Sequence, residues 1–503
     1  MLETIHSAAL VGIEALGIRV EVGIRRGTPT IQVVGLAANA VREGRERIRA
    51  AVARLGLRVP GLRITVNLAP AHIRKEGSAF DLPITVGILS AAGQMPPVRA
   101  RRFAMVGELG LDGSLRPVPG ALPFALHFRR CRDLVDGLIV PRGNLPETAA
   151  VADFPVLGAA DLGEVVAFLR DGRPLARARA ESPDPPSSPA VDLRDVRGQD
   201  VAKRALEVAA AGAHNLLLRG EPGAGKTMLA RRLPGLLPPL TPEECLEVTA
   251  IYSAAGRLEP GGGPLVAPPF RAPHHTISAA GLVGGGARPR PGEISLAHRG
   301  VLFLDELGEY PLPVLEALRQ PLEEGWATVV RAGAAIRFPS RFLLVAAMNP
   351  CPCGYRTSGD DRCTCDPALV RRYSGRISGP LLDRIDLRVD LGGVGWEELR
   401  GTDSGETSEA VRGRVEWVRK RARTRQGGPN AALSASSLDE VCRLGSAAER
   451  LLGEAVPSLG LSARAVHRVL RVSRTVADLA DSRDIRDEHV AEALRYRGVD
   501  SPV

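Results

Sequence analysis

Residues Gly220-Glu221-Pro222-Gly223-Ala224-Gly225-Lys226-Thr227 carry the spacing G-x-x-x-x-G-K-[ST]. That spacing is suited to holding phosphate. The glycines let successive backbone N–H groups turn toward phosphate oxygens, and a helix start adds the positive end of its dipole. Lys226 is placed to reach the β- and γ-phosphates, and the Thr227 hydroxyl to ligate Mg²⁺. Further along, the apolar run Val301–Leu304 ends in Asp305-Glu306. Asp305 suits Mg²⁺, usually through water, and Glu306 suits orientation of an attacking water. A third apolar run, Phe342–Ala347, leads into Met348-Asn349-Pro350. An Asn there lies at the carboxyl edge of a sheet, beside the γ-phosphate.

Other residues have less specific chemistry. Arg384, inside Leu381-Leu382-Asp383-Arg384-Ile385-Asp386, reads as a surface ion-pair partner or, in a ring ATPase, as a group reaching a neighbour's site. Arg464, Arg468, Arg471 and Arg474 recur on one helical face, which leaves one to contact nucleotide and the rest to form a solvated face. Cys351, Cys353, Cys363 and Cys365 form C-x-C-x9-C-x-C. Four thiolates so close suit tetrahedral Zn²⁺, with reduced thiols and a disulfide pair as the alternatives. Cys131, Cys245 and Cys442 read as core residues. Two segments suit a phosphate backbone: Arg271–Arg290, with His274-His275 and Arg288, and a β-hairpin predicted within Trp326–Phe338, with Arg331 and Arg337. The paired histidines have no carboxylate at ligand spacing and are not read as a metal site.

The elements that must position these groups follow from apolar periodicity. Strands are predicted at Leu216–Leu218, Val301–Leu304 and Phe342–Ala346, as near-continuous apolar runs of a buried parallel sheet, with a helix opening after Thr227. Before them, residues 1–175 predict a separate α+β or α/β domain. Its strands are Val20–Ile24, Thr30–Val34, Arg63–Leu68 and Leu138–Val140, and its helices Ala40–Leu55 and Ala79–Ala92. The Pro- and Ser-rich stretch Ala176–Asp192 reads as a linker. Residues 193–395 form the nucleotide core. Residues 396–503 read as helical: Ser408–Arg425, Ser437–Leu444, Ser446–Glu454, Ser462–Ala480 and Arg486–Tyr496.

Composition limits the function classes. The 503 residues are 44% hydrophobic and 24% charged, an ordinary balance for a globular chain of about three domains. No run of ~18 apolar residues spans a membrane, and the N-terminus lacks the basic and apolar regions of a leader, so the cytoplasm is expected. Net charge is +9, but only Lys75, Lys203, Lys226 and Lys420 are lysines among 66 cations. So strong a bias toward Arg points first to a GC-rich genome and only weakly to nucleic acid. With seven Cys, a disulfide framework is not expected.

Together, GEPGAGKT (220–227), VLFLDEL (301–307), AAMNPCPCG (346–354), SGPLLDRIDL (378–387) and LSARAVHRVLRVSRTVADL (461–479) resemble the magnesium-chelatase-like AAA+ ATPases of the YifB/ComM group. Gly35–Glu43 and Val66–Ala71 are similar to that group's N-terminal motifs, although Ala37 stands where the group has Pro. The resemblance covers nearly the whole chain. It implies an AAA+ core with a helical lid, ATP and Mg²⁺, hexameric rings, and DNA branch migration of the kind used in natural transformation. It makes Asn349 the sensor 1 residue, Arg384 a trans-acting arginine finger and Arg464 the sensor 2 arginine.

The group's N-terminal domain is similar to the Lon protease domain. Arg74–Ala79 resembles the stretch around the nucleophilic Ser, and Val106–Gly120 the stretch before the catalytic Lys. Here Gly120 is followed by Ala121-Leu122-Pro123, so the dyad Lys is absent. Lys75, near Ser78, does not occupy its place. The expectation is a Lon-like fold without peptidase activity on a cytoplasmic, sequence-tolerant DNA motor. The rival readings are a chelatase-type motor subunit and an ATP-gated adaptor.

Overall fold

A computed structural model of the chain describes residues 2–36, 39–73, 75, 77–151, 153–178, 191–259, 261–286, 289–331, 334–356, 362–393, 395–400 and 405–497. These fall into two compact units: Met1–Pro185 with Thr241–Val266, and Pro186–Leu240 with Ala267–Val503.

The first unit is built on an eight-stranded mixed sheet. Its order is Ala176–Arg177, Val156–Ala159, Gly137–Pro141, Phe103–Met105, Leu2–Val11, Glu14–Arg25, Arg63–Ala69, Thr30–Val34. The long central pair Leu2–Val11 and Glu14–Arg25 turns at Gly12-Ile13, where Gly12 takes the φ of +67° that a two-residue hairpin favours. The strands predicted at Val20–Ile24, Thr30–Val34, Arg63–Leu68 and Leu138–Val140 all lie in this sheet. The predicted helices form as Asn39–Arg54 and Asp81–Ala91. Every residue of Asp81–Ala91 is buried, which explains its almost unbroken apolar sequence.

Two expectations about this unit are corrected. The linker expected at Ala176–Asp192 has structure at both ends. Ala176–Arg177 pairs antiparallel with the strand Val156–Ala159, and Asp192 caps a short turn through its carboxylate. Residues 179–190 of that stretch lie outside the described residues. The helix Pro242–Ala255, within the span expected for the nucleotide core, packs instead on the first unit. There the Ser253 carbonyl accepts from the Gly120 N–H at 3.0 Å. Its start is fixed by a capping box between Thr241 and Glu244.

The second unit carries a five-stranded parallel sheet in the order Phe270–Arg271, Val301–Leu304, Leu343–Met348, Leu216–Gly220, Leu387–Leu391. The whole of Val301–Leu304 and Leu343–Met348 is buried, as strands covered on both faces must be. The predicted C-terminal helices form as Ser408–Gln426, Leu438–Val441, Ser446–Ser458, Ala463–Leu479 and Asp487–Arg495. Val415, Val418, Val469, Val472 and Val476 join the core of the sheet. No helix among the described residues is long and apolar enough to cross a membrane.

Candidate nucleotide site

The strand Leu216–Gly220 lies between Leu343–Met348 and Leu387–Leu391. The strands that follow it in sequence start from the far edge and return to one side of it. The last strand lies on its other side. This reversal of winding opens a crevice at the carboxyl ends of the strands. The loop leaving Leu216–Gly220 enters that crevice and becomes the helix Lys226–Leu236, whose Leu229, Ala230, Leu233 and Leu236 bury one face. Gly223 and Gly225 take left-handed φ values of +84° and +89°. The space a Cβ would fill at Gly223 is open to 4 Å, so its backbone can approach a ligand.

Four predicted residues meet here. Lys226 Nζ donates to the Gly220 and Glu221 carbonyls at 2.7 and 2.8 Å and to Asn349 Oδ1 at 3.0 Å. Burial lowers the Lys226 pKa below the usual lysine value, while Asp305, Glu221 and Glu306 act to raise it. Thr227 Oγ1 donates to Asp305 Oδ2 at 2.6 Å, and the Glu306 N–H to Asp305 Oδ1 at 2.9 Å. A hydroxyl and a carboxylate in contact suit a hard divalent cation, and the open glycine loop at a helix start suits a polyphosphate. The residues therefore fit Mg²⁺ and a nucleotide triphosphate. Beside the loop is a cavity of about 410 Å³, lined by Val196, Gln199 and Met228 among others. Gln199 Nε2 donates to the Gly392 carbonyl at 2.7 Å and fixes one wall. Sequence reasoning missed this wall, because nothing in Asp195–Gln199 marks a ligand.

Glu306 follows its strand in a left-handed conformation, φ +52°. Its Oε2 lies 3.2 Å from His275 Nδ1. His275 packs on His274 with ring centroids 4.1 Å apart and stands edge-on to Tyr310. The segment expected to grip phosphate thus brings a histidine to the Glu306 carboxylate. Arg271, expected on the same gripping loop, is held by Glu293 at 2.6 and 2.8 Å, a correction to that expectation. Arg290 is exposed, and Arg288 lies outside the described residues.

Arg384 does not reach the loop of its own chain. Its guanidinium pairs with Glu323 and with the Pro380 carbonyl, and its side chain is 15% exposed. Asn215, at the start of the central strand, holds this region: its Nδ2 donates to the Arg384 carbonyl at 2.8 Å and its Oδ1 accepts from Leu344 N at 2.9 Å. Arg464 is exposed near the start of Ala463–Leu479. The solvated face expected for its neighbours is corrected. Arg468 is buried beside Asp383 and Asp386, at 3.7 and 3.9 Å, and Arg474 is buried against Asp478 at 3.0 Å and the Ser482 carbonyl at 2.6 Å. His214 links them to the sheet, meeting Asp386 at 3.2 Å and Thr475 at 2.7 Å. Burial lowers the pKa of both arginines, and the nearby aspartates act to raise it.

The predicted hairpin forms as Trp326–Arg331 and Ala334–Pro339, with Thr328 opposite Arg337. Arg337 is exposed; Ala332-Gly333 and the Arg331 side chain lie outside the described residues. The four clustered cysteines bring their Sγ atoms within 4.8 Å of one another. Cys442 is buried as expected, whereas Cys131 and Cys245 are half-buried. In the first unit, Ser78 Oγ donates to Glu108, and the buried Lys75 ammonium donates to the Pro70 carbonyl. Arg74, Glu76 and Ala37 lie outside the described residues.

The chain is similar to known proteins over its full length. Residues 192–399 match the family model described as magnesium chelatase, subunit ChlI; residues 20–144 match subunit ChlI of Mg-chelatase; and residues 405–497 match the C-terminal model of that subunit. The competence protein ComM of Haemophilus influenzae is 44% identical across 99% of this chain and 98% of its own length. YifB of Escherichia coli is 43% identical across 99% and 97%. The chloroplastic magnesium-chelatase subunit ChlI of Chlamydomonas reinhardtii is 26% identical across 52% of this chain and 61% of its own.

Proposed function

Since the chain belongs to the YifB/ComM family of magnesium-chelatase-like proteins, we propose that it is a Mg²⁺-dependent AAA+ ATPase that works as a hexameric ring in the cytoplasm and moves DNA. One observation carries the ATPase part. Lys226–Asn349 and Thr227–Asp305, at 3.0 and 2.6 Å, converge in the crevice where the parallel sheet reverses its winding. In this reading the loop Gly220–Thr227, including Glu221, Pro222 and Ala224, wraps the phosphates, and Lys226 holds the β- and γ-oxygens. Thr227 and Asp305 hold Mg²⁺, which supplies charge to the phosphate oxygens when bound. Glu306 takes the proton of the attacking water, and Asn349 orients the water or the γ-phosphate. Arg464 contacts the nucleotide from the lid, and Arg384 acts across a subunit boundary on the charge developing in the transition state.

The DNA part rests on exposed Arg290 and Arg337 in two short hairpins and on the net charge of +9. The first unit is read as a Lon-like fold without peptidase activity. Supporting this, Ser78 faces Glu108, and the Lys75 ammonium is engaged by a carbonyl. The names of the matching family models favour a second reading, a chelatase-type motor subunit. Against it, similarity at 43–44% identity runs the length of ComM and YifB, whereas the chloroplastic chelatase subunit is 26% identical over about half of this chain. The deciding experiment incubates purified protein, ATP and Mg²⁺ with labelled forked DNA. Strand displacement that requires ATP supports the DNA motor. ATPase activity that neither DNA stimulates nor couples to displacement overturns it.

A further inference from the structure

The cysteine cluster has no part in the nucleotide chemistry, yet it is built into the same corner of the sheet. The buried strand Leu343–Met348 ends, Asn349-Pro350 turns the chain, and Cys351 follows at once, fully buried. Cys353, Cys363 and Cys365 are half-buried. Cys351 Sγ lies 3.3 Å from Cys353 Sγ and 3.8 Å from Cys363 Sγ, and Cys353 and Cys363 are 3.7 Å apart. All four sulfurs fall within 4.8 Å of one another, and among the described residues this is the only such group of potential metal ligands. A tetrahedral Zn²⁺ with Zn–S bonds of about 2.3 Å requires sulfurs roughly 3.8 Å apart. The three sulfur–sulfur distances approach that edge length.

The cluster also touches the phosphate loop. Gly354 follows Cys353 at φ +89°, and a Cβ placed there would lie 2.6 Å from the Pro222 ring, so the knuckle backbone rests directly on Pro222. Arg362, next to Cys363, reaches Glu221 Oε2 at 3.4 Å, and its guanidinium covers the Tyr355 ring at 4.6 Å. Gly354 and Arg362, one beside each cysteine pair, therefore lean on Pro222 and Glu221, while Asn349 just before the cluster touches Lys226.

We propose that Cys351, Cys353, Cys363 and Cys365 bind one structural Zn²⁺ as four thiolates, and that this ion fastens the turn carrying Asn349 against the phosphate loop. The closed tetrahedral set leaves no open position for catalysis by the metal. Its work is to fix the loop, because cross-linking the two pairs removes chain entropy that would otherwise let Asn349 drift from Lys226. Metal binding stands independently of the ATPase reading, and the fastening role rests on that reading.

The test uses the full chain purified under reducing conditions. Metal content by inductively coupled plasma mass spectrometry should give about one Zn²⁺ per chain. A Cys363→Ser/Cys365→Ser double variant should lose it, whereas Cys131→Ser should keep it. Wild-type protein reconstituted with Co²⁺ should show the intense visible bands of a tetrahedral thiolate site. These two wild-type measurements remain decisive if the double variant fails to fold. Wild-type protein that holds no Zn²⁺ after incubation with excess ion, with four thiols still titratable, overturns the metal site. For the fastening role, chelator-stripped wild type should bind a fluorescent ATP analogue nearly as before but hydrolyse ATP roughly tenfold more slowly, with recovery on adding Zn²⁺. Full hydrolysis by stripped protein overturns the fastening role while the metal site stands. Wild type that holds Zn²⁺ but never hydrolyses ATP contradicts the ATPase reading instead.

Discussion

His275 Nδ1 stands 3.2 Å from Glu306 Oε2, although 30 residues separate the two in sequence. Strand pairing makes the contact. Phe270–Arg271 runs parallel to Val301–Leu304, with Phe270 opposite Val301, so the chains leaving both strands emerge side by side. Tyr310 anchors the approach by donating its hydroxyl to the Pro273 carbonyl at 2.6 Å. The group proposed to activate water is therefore held by a histidine from a different strand's exit.

His275→Ala should lower kcat for ATP hydrolysis by about tenfold while KM for ATP stays nearly constant, because an unheld carboxylate still binds nothing of the ground state. His275→Asn, which keeps a donor near the Nδ1 position, should retain most of the rate. Steady-state kinetics of the two variants check this. A change confined to KM would mean that His275 serves binding and does not position Glu306.

Arg384 should act between subunits even though it pairs with Glu323 in its own chain. Arginine fingers are worth about 10³–10⁵ in rate. Arg384→Ala and Lys226→Ala proteins, each nearly inactive alone, should recover ATPase activity when mixed, since some interfaces then carry both intact residues. Glu323→Gln should leave activity largely intact, because it removes the in-chain partner and not the finger. If mixing restores nothing while the rings still assemble, and Glu323→Gln is as damaging as Arg384→Ala, the pair is structural.

DNA binding should be sequence-tolerant and should weaken with salt, log K declining by about 0.7 per neutralised phosphate on a single strand. Arg337→Ala and Arg290→Ala should each flatten that slope by about one contact. Arg271→Ala should not, because Glu293 already engages its guanidinium. Fluorescence anisotropy across a salt series separates these outcomes. An Arg271 effect equal to that of Arg337 would show that the ion pair opens for DNA.

Most of the nucleotide crevice was legible in the sequence, because its chemistry is local. The loop Gly220–Thr227 and the carboxylates after Val301–Leu304 each sit at the end of an apolar run, and the parallel sheet brings those ends together. Pairings set by tertiary register were not legible. His275 meets Glu306 only because two strands lie side by side, and the sequence placed the His-His doublet on a segment suited to a phosphate backbone. Periodicity placed Arg464, Arg468, Arg471 and Arg474 on one face but could not say that Asp383, Asp386 and Asp478 would bury two of them. Nor could periodicity say that, on the helix Ser408–Gln426, Arg419 would donate to the Ala210 carbonyl and Arg425 would pair with Asp478 and Asn430. In the first unit the central strand Leu2–Val11 was missed: its mix of polar and small residues gives a weak alternation, although Ile5, Ala8 and Ala9 are buried.

The most direct test of the account is to measure ATP binding and ATP hydrolysis on one preparation of Glu306→Gln protein. The substitution keeps the shape of the side chain and removes only its basicity. Nucleotide affinity should match that of the wild type while hydrolysis falls by about 10²–10⁴, the span that general-base catalysis supplies. Lys226→Ala, measured alongside, should lose binding itself. Hydrolysis at the wild-type rate by Glu306→Gln protein would contradict the assignment of this crevice as an ATPase centre built on Glu306.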